Sequence, residues 1–422
     1  MRPTPVHQRQ ECVPMPEAPP QVVIIGGGLG GLCAAHGLRA AGIEVALYER
    51  DPSLDHRPQG YRIHLDSRGA GGLHECLPPR LYELFVATAG LPSRRVTIVN
   101  ERLRELHAVQ FDGVSAGEDP KTFSAAVDRM TLRQVLLAGL DDVVHFGAEF
   151  THYEHEGERV RAWFADGTSA VGDLLVGADG VGSRVRRQYL PHLEIRDLGT
   201  RCVYGKTRLD DRVAELLPPR LTDGFMSVRS RRAGMALGLV RLREDPAEAA
   251  ARLWPGLSLS WAGDYVMWAL AVPSAGLPGT DAELSAAGGA RLHELVRERI
   301  TGWHPDLMAL VAAAEADQTF YVPIRSSTPI EAWEPTNVTV LGDAAHAMSP
   351  AQGSGANCAL LDAALLCRAV AAGGPPADVI GDYERRMTEY GFAAVRASEA
   401  AAAGSGGGLL GRMFGWLGRL SR

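Results

Sequence analysis

The sequence predicts an α/β protein in two joined parts: a Rossmann-like domain with a parallel sheet and a β-meander, and a mixed α+β domain. Three segments carry this reading. Residues 22–25 (Val-Val-Ile-Ile) form an apolar run that enters Gly26-Gly27-Gly28-Leu29-Gly30-Gly31, as expected for a strand buried on both faces before a tight turn. Residues 173–180 (Asp-Leu-Leu-Val-Gly-Ala-Asp-Gly) form a second such strand, broken at Asp179-Gly180. Residues 338–343 (Val-Thr-Val-Leu-Gly-Asp) form a third, followed by a loop with Pro350, Gly353, Ser354, Gly355, Ala356 and Asn357 that opens an Ala/Leu-rich helix. These segments lie far apart in sequence, so the domain they build must be discontinuous.

Residues 1–19 hold repeated prolines and no apolar core, and read as a disordered leader rather than a signal peptide. A cytoplasmic location is therefore expected. Gly26, Gly28 and Gly31 make a G-x-G-x-x-G pattern; residues 32–41 then read as a helix and 45–48 as a strand ending at Glu49 and Arg50. Glu49 follows the last glycine at close to the roughly 20 positions expected of a ribose-binding carboxylate. Between residues 150 and 173 the pattern changes to alternating strands with turns at Glu156-Gly157 and Asp166-Gly167, which predicts a β-meander.

Residues 196–333 carry no phosphate-binding glycine signature. Strand-like segments at 224–229, 235–240 and 265–273, and a helix over about 282–301 with Leu292, Leu295, Val296 and Ile300 at helical spacing, predict a sheet backed by helices. Candidate substrate contacts on that sheet are Tyr204, Phe225, Met226, Met235, Trp268 and Tyr321, with Trp261 and Met267 beside them. Alternation sends half of such residues to the opposite face.

At the third segment, small residues let backbone N–H groups approach a ligand, and a helix N-terminus adds positive potential. Asp343 is placed to accept hydrogen bonds from ligand hydroxyls. A planar, polyhydroxylated, partly anionic cofactor fits, and FAD is the candidate. The four motifs together resemble the single-component FAD-dependent aromatic hydroxylases, the para-hydroxybenzoate hydroxylase-like monooxygenases. The resemblance rests on Gly26/Gly28/Gly31, on Arg129 in Arg-Met-Thr-Leu132 with Leu136, on Asp179-Gly180 with Ser183 and Arg186, and on Gly342-Asp343 with Pro350, Gly353, Gly355 and Asn357. It covers residues 20–395.

It implies FAD held by Gly26, Gly28, Leu29, Gly30, Gly31, Glu49, Arg50, Arg129, Asp179, Asp343, Pro350, Gly353, Ser354, Gly355, Ala356 and Asn357. NADPH or NADH would serve as transient reductant and O2 as co-substrate. It also implies oxygenation of a hydrophobic aromatic, polyketide or terpenoid-like molecule through a flavin C4a-hydroperoxide, in secondary metabolism, with Pro350 as a wall of the reaction site and no protein residue required as catalyst. A flavin oxidase, dehydrogenase or oxidative cyclase, or a non-catalytic flavin-binding partner, stays open.

The implied organisation places the FAD-binding domain at residues 20–75, 101–195 and 334–395, a substrate-binding domain at 76–100 and 196–333, and a C-terminal helix or tail at 396–422. A net charge of −7 offers nucleic acid no general attraction. The six cysteines show no C-x-x-C pairing and the histidines no ligand spacing, so no metal is expected. His346 reads as structural. The longest apolar runs are strand-length, so no membrane span is expected. Leu409, Met413, Trp416 and Leu420 recur at helical spacing with three nearby arginines. Three readings compete for this tail: packing back across the two domains, closing over the pocket, or lying on an anionic membrane; packing is preferred, because Gly411, Gly415 and Gly418 weaken an unsupported helix. Oligomeric state is not readable.

Overall fold

The structure, a computed structural model, describes residues 21–404 apart from 55, 57–59, 111–116, 118, 218–220, 222–223 and 261–262. The expected leader, the tail after residue 404 and Trp261 therefore lie outside the described residues.

Five parallel strands form the first sheet, in the order Val338–Val340, Leu174–Gly177, Gln21–Ile25, Glu44–Glu49, Val144–Phe146. The three segments singled out in the sequence are thus neighbours, side by side at its centre and edge. Helices Leu29–Ala40 and Gly355–Ala372 pack on this sheet together with Ser67–Cys76, and their small residues permit close approach. A Cβ on Gly72 would lie 2.4 Å from the Leu360 carbonyl, so this helix pair tolerates only hydrogen there. The expected meander is present as Phe150–Glu156, Arg159–Phe164 and Ser169–Gly172, with Gly157 and Gly167 in the left-handed region at its turns.

Gly355–Ala372 is, among the described residues, long and apolar enough by length and composition to cross a membrane, although Asp362 and Arg368 break its apolar runs. Its contacts are with Leu29–Ala40 and Ser67–Cys76, those of a core helix.

The second sheet has seven strands, in the order Phe320–Ser327, Ile195–Arg208, Tyr265–Pro273, Gly234–Val240, Gly224–Arg229, Arg95–Asn100, Glu105–Gln110. Glu105–Gln110, placed by sequence with the cofactor domain, pairs antiparallel to Arg95–Asn100 and belongs to this sheet. Pro79–Ala87, placed by sequence with the substrate domain, buries Leu81, Leu84 and Phe85 in the first core. The expected helix over 282–301 is two helices, Asp281–Ala286 and Gly289–Arg299, parted where a Cβ on Gly289 would strike the Asp317 carbonyl at 2.4 Å.

One face of the seven-stranded sheet packs on these helices and on Pro305–Ala312. Trp268 belongs to that face. It is fully buried, donates from Nε1 to Thr207 Oγ1 at 3.2 Å, and lies over Gly205, where a Cβ would come within 2.1 Å of the indole. Replacing Trp268 by alanine should lower stability by about 3–5 kcal/mol through loss of buried area and the cavity left behind. Urea unfolding measures this, and a loss under about 1 kcal/mol contradicts the assigned packing.

Candidate functional site

A cavity of about 1910 Å³ separates the two sheets. Its construction starts with helix ends. Helices such as Ser67–Cys76, Arg129–Leu137 and Arg184–Tyr189 have their first turns capped by side chains of Asp66, Asp128 and Ser183. Leu29–Ala40 and Gly355–Ala372 lack a side-chain cap at Gly28 and Ser354, and both begin at the cavity. Two sets of first-turn N–H donors and two positive helix ends therefore open on one space. A Cβ on Gly28 would meet nothing within 4 Å, whereas one on Gly26 or Gly31 would lie 2.4 Å from the Ala178 carbonyl and 2.1 Å from the Gly26 carbonyl. The first glycine keeps the loop open toward a ligand; the other two let the strand and helix pack behind it.

Of the residues expected to hold the cofactor, Gly28, Leu29, Gly30, Arg129, Asp343, Pro350, Gly353, Gly355 and Ala356 line the cavity. Asp343 is enclosed by protein yet open to this interior space, and burial pushes its carboxyl up while His346 and Arg129 hold it down. Gly353 turns the loop in the left-handed region at φ 63°.

Other predicted residues support the cavity from behind. Glu49 accepts from Gly27 N (2.8 Å) and Asp51 N (3.0 Å) and lies 3.5 Å from the Arg133 guanidinium, tying the glycine loop to the second strand. Arg50 is on the surface. Asp179, between the lining residues Ala178 and Gly180, accepts from Arg184 N at 2.7 Å through one oxygen, and its other oxygen is buried without a hydrogen-bond partner. Ser354 is buried. Asn357 is a clamp: its amide donates to the His64 and Gly353 carbonyls at 2.9 and 3.0 Å and accepts from Asp66 N at 2.9 Å.

Behind the Gly342-Asp343 turn lies Asp362, fully buried, which accepts from Gly342 N at 2.7 Å, from His346 Nε2 at 2.8 Å and from the Tyr390 hydroxyl. Burial opposes the imidazolium of His346, but Asp362 outweighs it and raises its pKa.

On the sheet side, strand register decides the substrate candidates. Tyr204, Phe225 and Met267 face the cavity. Met226, Trp268 and Tyr321 do not. Met226 and Trp268 are buried in the helix-backed core, and Tyr321, registered with buried Val203, packs there and donates to Asp281 at 2.6 Å. Met235 lies at the cavity edge, but its partners in register, Val228 and Leu270, are core residues and its side chain is buried with them.

A profile described as an FAD binding domain matches residues 302–398, and one described as an NAD(P)-binding Rossmann-like domain matches residues 24–75. A Photorhabdus luminescens protein described as an FAD-containing monooxygenase has a solved structure that superposes with a TM-score of 0.77 at 31% identity. The match covers 92% of this chain and 98% of that one. The chain belongs to the FAD-dependent monooxygenases. The dual O-methyltransferase/FAD-dependent monooxygenase of Cercospora beticola is 33% identical over 390 residues, 87% of this chain and 44% of that protein, so the chain spans under half of that relative's length. The FAD-dependent urate hydroxylase of Klebsiella oxytoca is 27% identical over 82% of this chain and 80% of its own.

In this chain the residues fit FAD: an open glycine loop, two uncapped helix ends and a carboxylate facing the same space. Sequence reasoning missed Arg62 and His64, which line the cavity from the strand Arg62–Leu65. Burial and the Arg62 cation push His64 down to about 4, leaving a neutral imidazole at physiological pH. Buried Arg133, which donates to the Gly27 and Leu54 carbonyls, was missed too. Isolated polar residues on a short strand and inside a helix left no periodic signal.

Two outcomes follow from this geometry. Gly355→Val should leave the apoprotein folded, because an added Cβ has ordinary contacts only, 3.7 Å from Asp343. FAD affinity, read by fluorimetric titration, should nevertheless fall at least tenfold, about 1.4 kcal/mol. Asp362→Asn should cost about 3–5 kcal/mol by breaking a buried charged cluster. A raised histidine pKa contributes stability that is full below about pH 6.5 and lost as pH rises through the folded value. The difference between wild type and Asp362→Asn in urea unfolding should therefore shrink as pH rises past 6.5.

Proposed function

We propose that this monooxygenase uses NADPH or NADH and O2 to hydroxylate or epoxidise a hydrophobic, aromatic, polyketide or terpenoid-like small molecule in secondary metabolism. The continuity of the cavity carries this reading: one space runs from the glycine loop at Gly28 to the apolar side of the seven-stranded sheet at Tyr204, Phe225 and Met267. Bound FAD would supply the reducing equivalents and the activation of oxygen that no side chain provides.

The residues then divide the work. With FAD bound, Gly28, Leu29 and Gly30 would present N–H donors to its pyrophosphate and Asp343 would accept from its ribityl hydroxyls, while Glu49, behind the cavity, keeps the glycine loop in place. Gly353, Gly355 and Ala356 would place a positive helix end beside a bound flavin, where it would favour the reduced, more negative form. Pro350 and Met348 wall the reaction site. His64, neutral and beside the Gly353 loop, can accept a proton from a substrate hydroxyl. Tyr204, Phe225 and Met267 exclude water and position an apolar ring.

The relatives that support this reading act, by name, on substrates as different as urate and zeaxanthin, so the family framework does not fix the substrate. Incubating the FAD-loaded protein with NADPH, ¹⁸O2 and a panel of polycyclic phenols should give NADPH consumption stimulated by substrate and a product heavier by one labelled oxygen. A product that has only lost two hydrogens, with stoichiometric hydrogen peroxide, would assign an oxidase instead.

A further inference from the structure

The strand Arg62–Leu65 presents Arg62 and His64 to the cavity on one face, two residues apart, while Leu65 is buried in the core. The two mark different zones. His64 stands against the cofactor loop: its Cβ is 3.6 Å from where a Cβ on Gly353 would lie. Arg62 stands against the sheet floor. Its Cδ lies 2.5 Å from where a Cβ on Gly238 would be, and its guanidinium sits 5.5 Å from the centre of the Phe225 ring. Gly238 is registered with both Phe225 and Met267, so the missing side chain is the space this arginine occupies.

The charge of Arg62 is under-compensated. Burial pushes its pKa down to about 10, and the one neighbour that favours its charge is Tyr265. That phenol is held neutral by burial and by Asp128, to which it donates at 2.7 Å. Arg62 Nε is buried without a hydrogen-bond partner, and among the described residues no carboxylate forms an ion pair with Arg62. A buried guanidinium ordinarily finds a carboxylate or phosphate. Here the open side faces the cavity, above an aromatic floor.

We propose that Arg62 is the specificity-determining residue of the substrate zone and binds an anionic oxygen, a carboxylate or phenolate, on a planar substrate that rests on Phe225 and Tyr204. This deepens the monooxygenase reading and rests on it, by narrowing the substrate from hydrophobic to amphipathic: an apolar ring system bearing one acidic group. The ring meets Phe225, Tyr204 and Met267; the acid meets the fork of Arg62. Cation–π contact with Phe225 holds the guanidinium plane in place before substrate arrives.

The probes are 2-naphthoate and its neutral isostere 2-naphthamide, titrated into the FAD-loaded protein and read by their own fluorescence, which requires no turnover. Wild type should bind naphthoate at least tenfold more tightly than naphthamide. In Arg62→Met that preference should vanish while naphthamide affinity and FAD content stay within twofold, and Arg62→Lys should keep part of it. Equal affinities in wild type, no saturable naphthoate binding, or a preference that survives in Arg62→Met would each overturn the proposal. The wild-type comparison decides even where the methionine variant does not fold. Loss of the flavin reading would show separately, as protein that takes up no FAD.

Discussion

One buried carboxylate organises the cofactor side of this molecule. Asp362 sits on the long helix that starts at the cavity, yet its partners are the backbone of Gly342, the ring of His346 and the hydroxyl of Tyr390. A buried anion is stable only where donors converge on it, and here they come from a strand end, a short helix and the helix Pro376–Gly404. The requirement to satisfy Asp362 therefore fixes where the Gly342-Asp343 turn stands relative to the Gly355 helix end. Asp343, next to Gly342 in that turn, inherits its position from this cluster. His346 serves the same end, and the ring packs so closely on Gly391 that a Cβ there would lie 2.6 Å from it.

The glycine loops were legible in the sequence because close backbone approach leaves a compositional trace. Gly26 and Gly31 have no room for a side chain, and their spacing with the flanking apolar runs announces a strand, a turn and a helix. The meander was legible from alternation and its two turn glycines. Asn357 and Asp179 were recognised as motif residues, but the structure spends the Asn357 amide on neighbouring loops and one Asp179 oxygen on the start of the helix Arg184–Tyr189. A motif records that a residue type is needed at a position; it does not say whether the residue touches the ligand or holds the residue that does.

The sheet floor was less legible. Alternation fixes which residues share a face, but a sheet with one face on helices and the other on an apolar cavity is hydrophobic on both. Nothing in 265–273 marks Trp268 as core and Met267 as cavity. The difference lies across the sheet, in Gly205, which accepts the indole, and Gly238, which leaves space for Arg62. Those absences of side chain become informative only once the register pairs them with their neighbours. For the same reason Arg62 and His64, lone polar residues on a four-residue strand, were invisible until that strand was seen to border both zones.

The order of strands in the parallel sheet bears on how this chain is made. Leu174–Gly177 is flanked by Gln21–Ile25 on one side and Val338–Val340 on the other. During synthesis its first partner is already present, but the second leaves the ribosome more than a hundred residues later. In that interval a wholly apolar strand carries an unpaired edge, the kind of template on which nascent chains misassociate. Five of the seven strands of the second sheet are translated within the same interval. The chain's exposure to aggregation is thus set by translation rate across residues 178–337, and slow synthesis there prolongs the most vulnerable stage of its biogenesis.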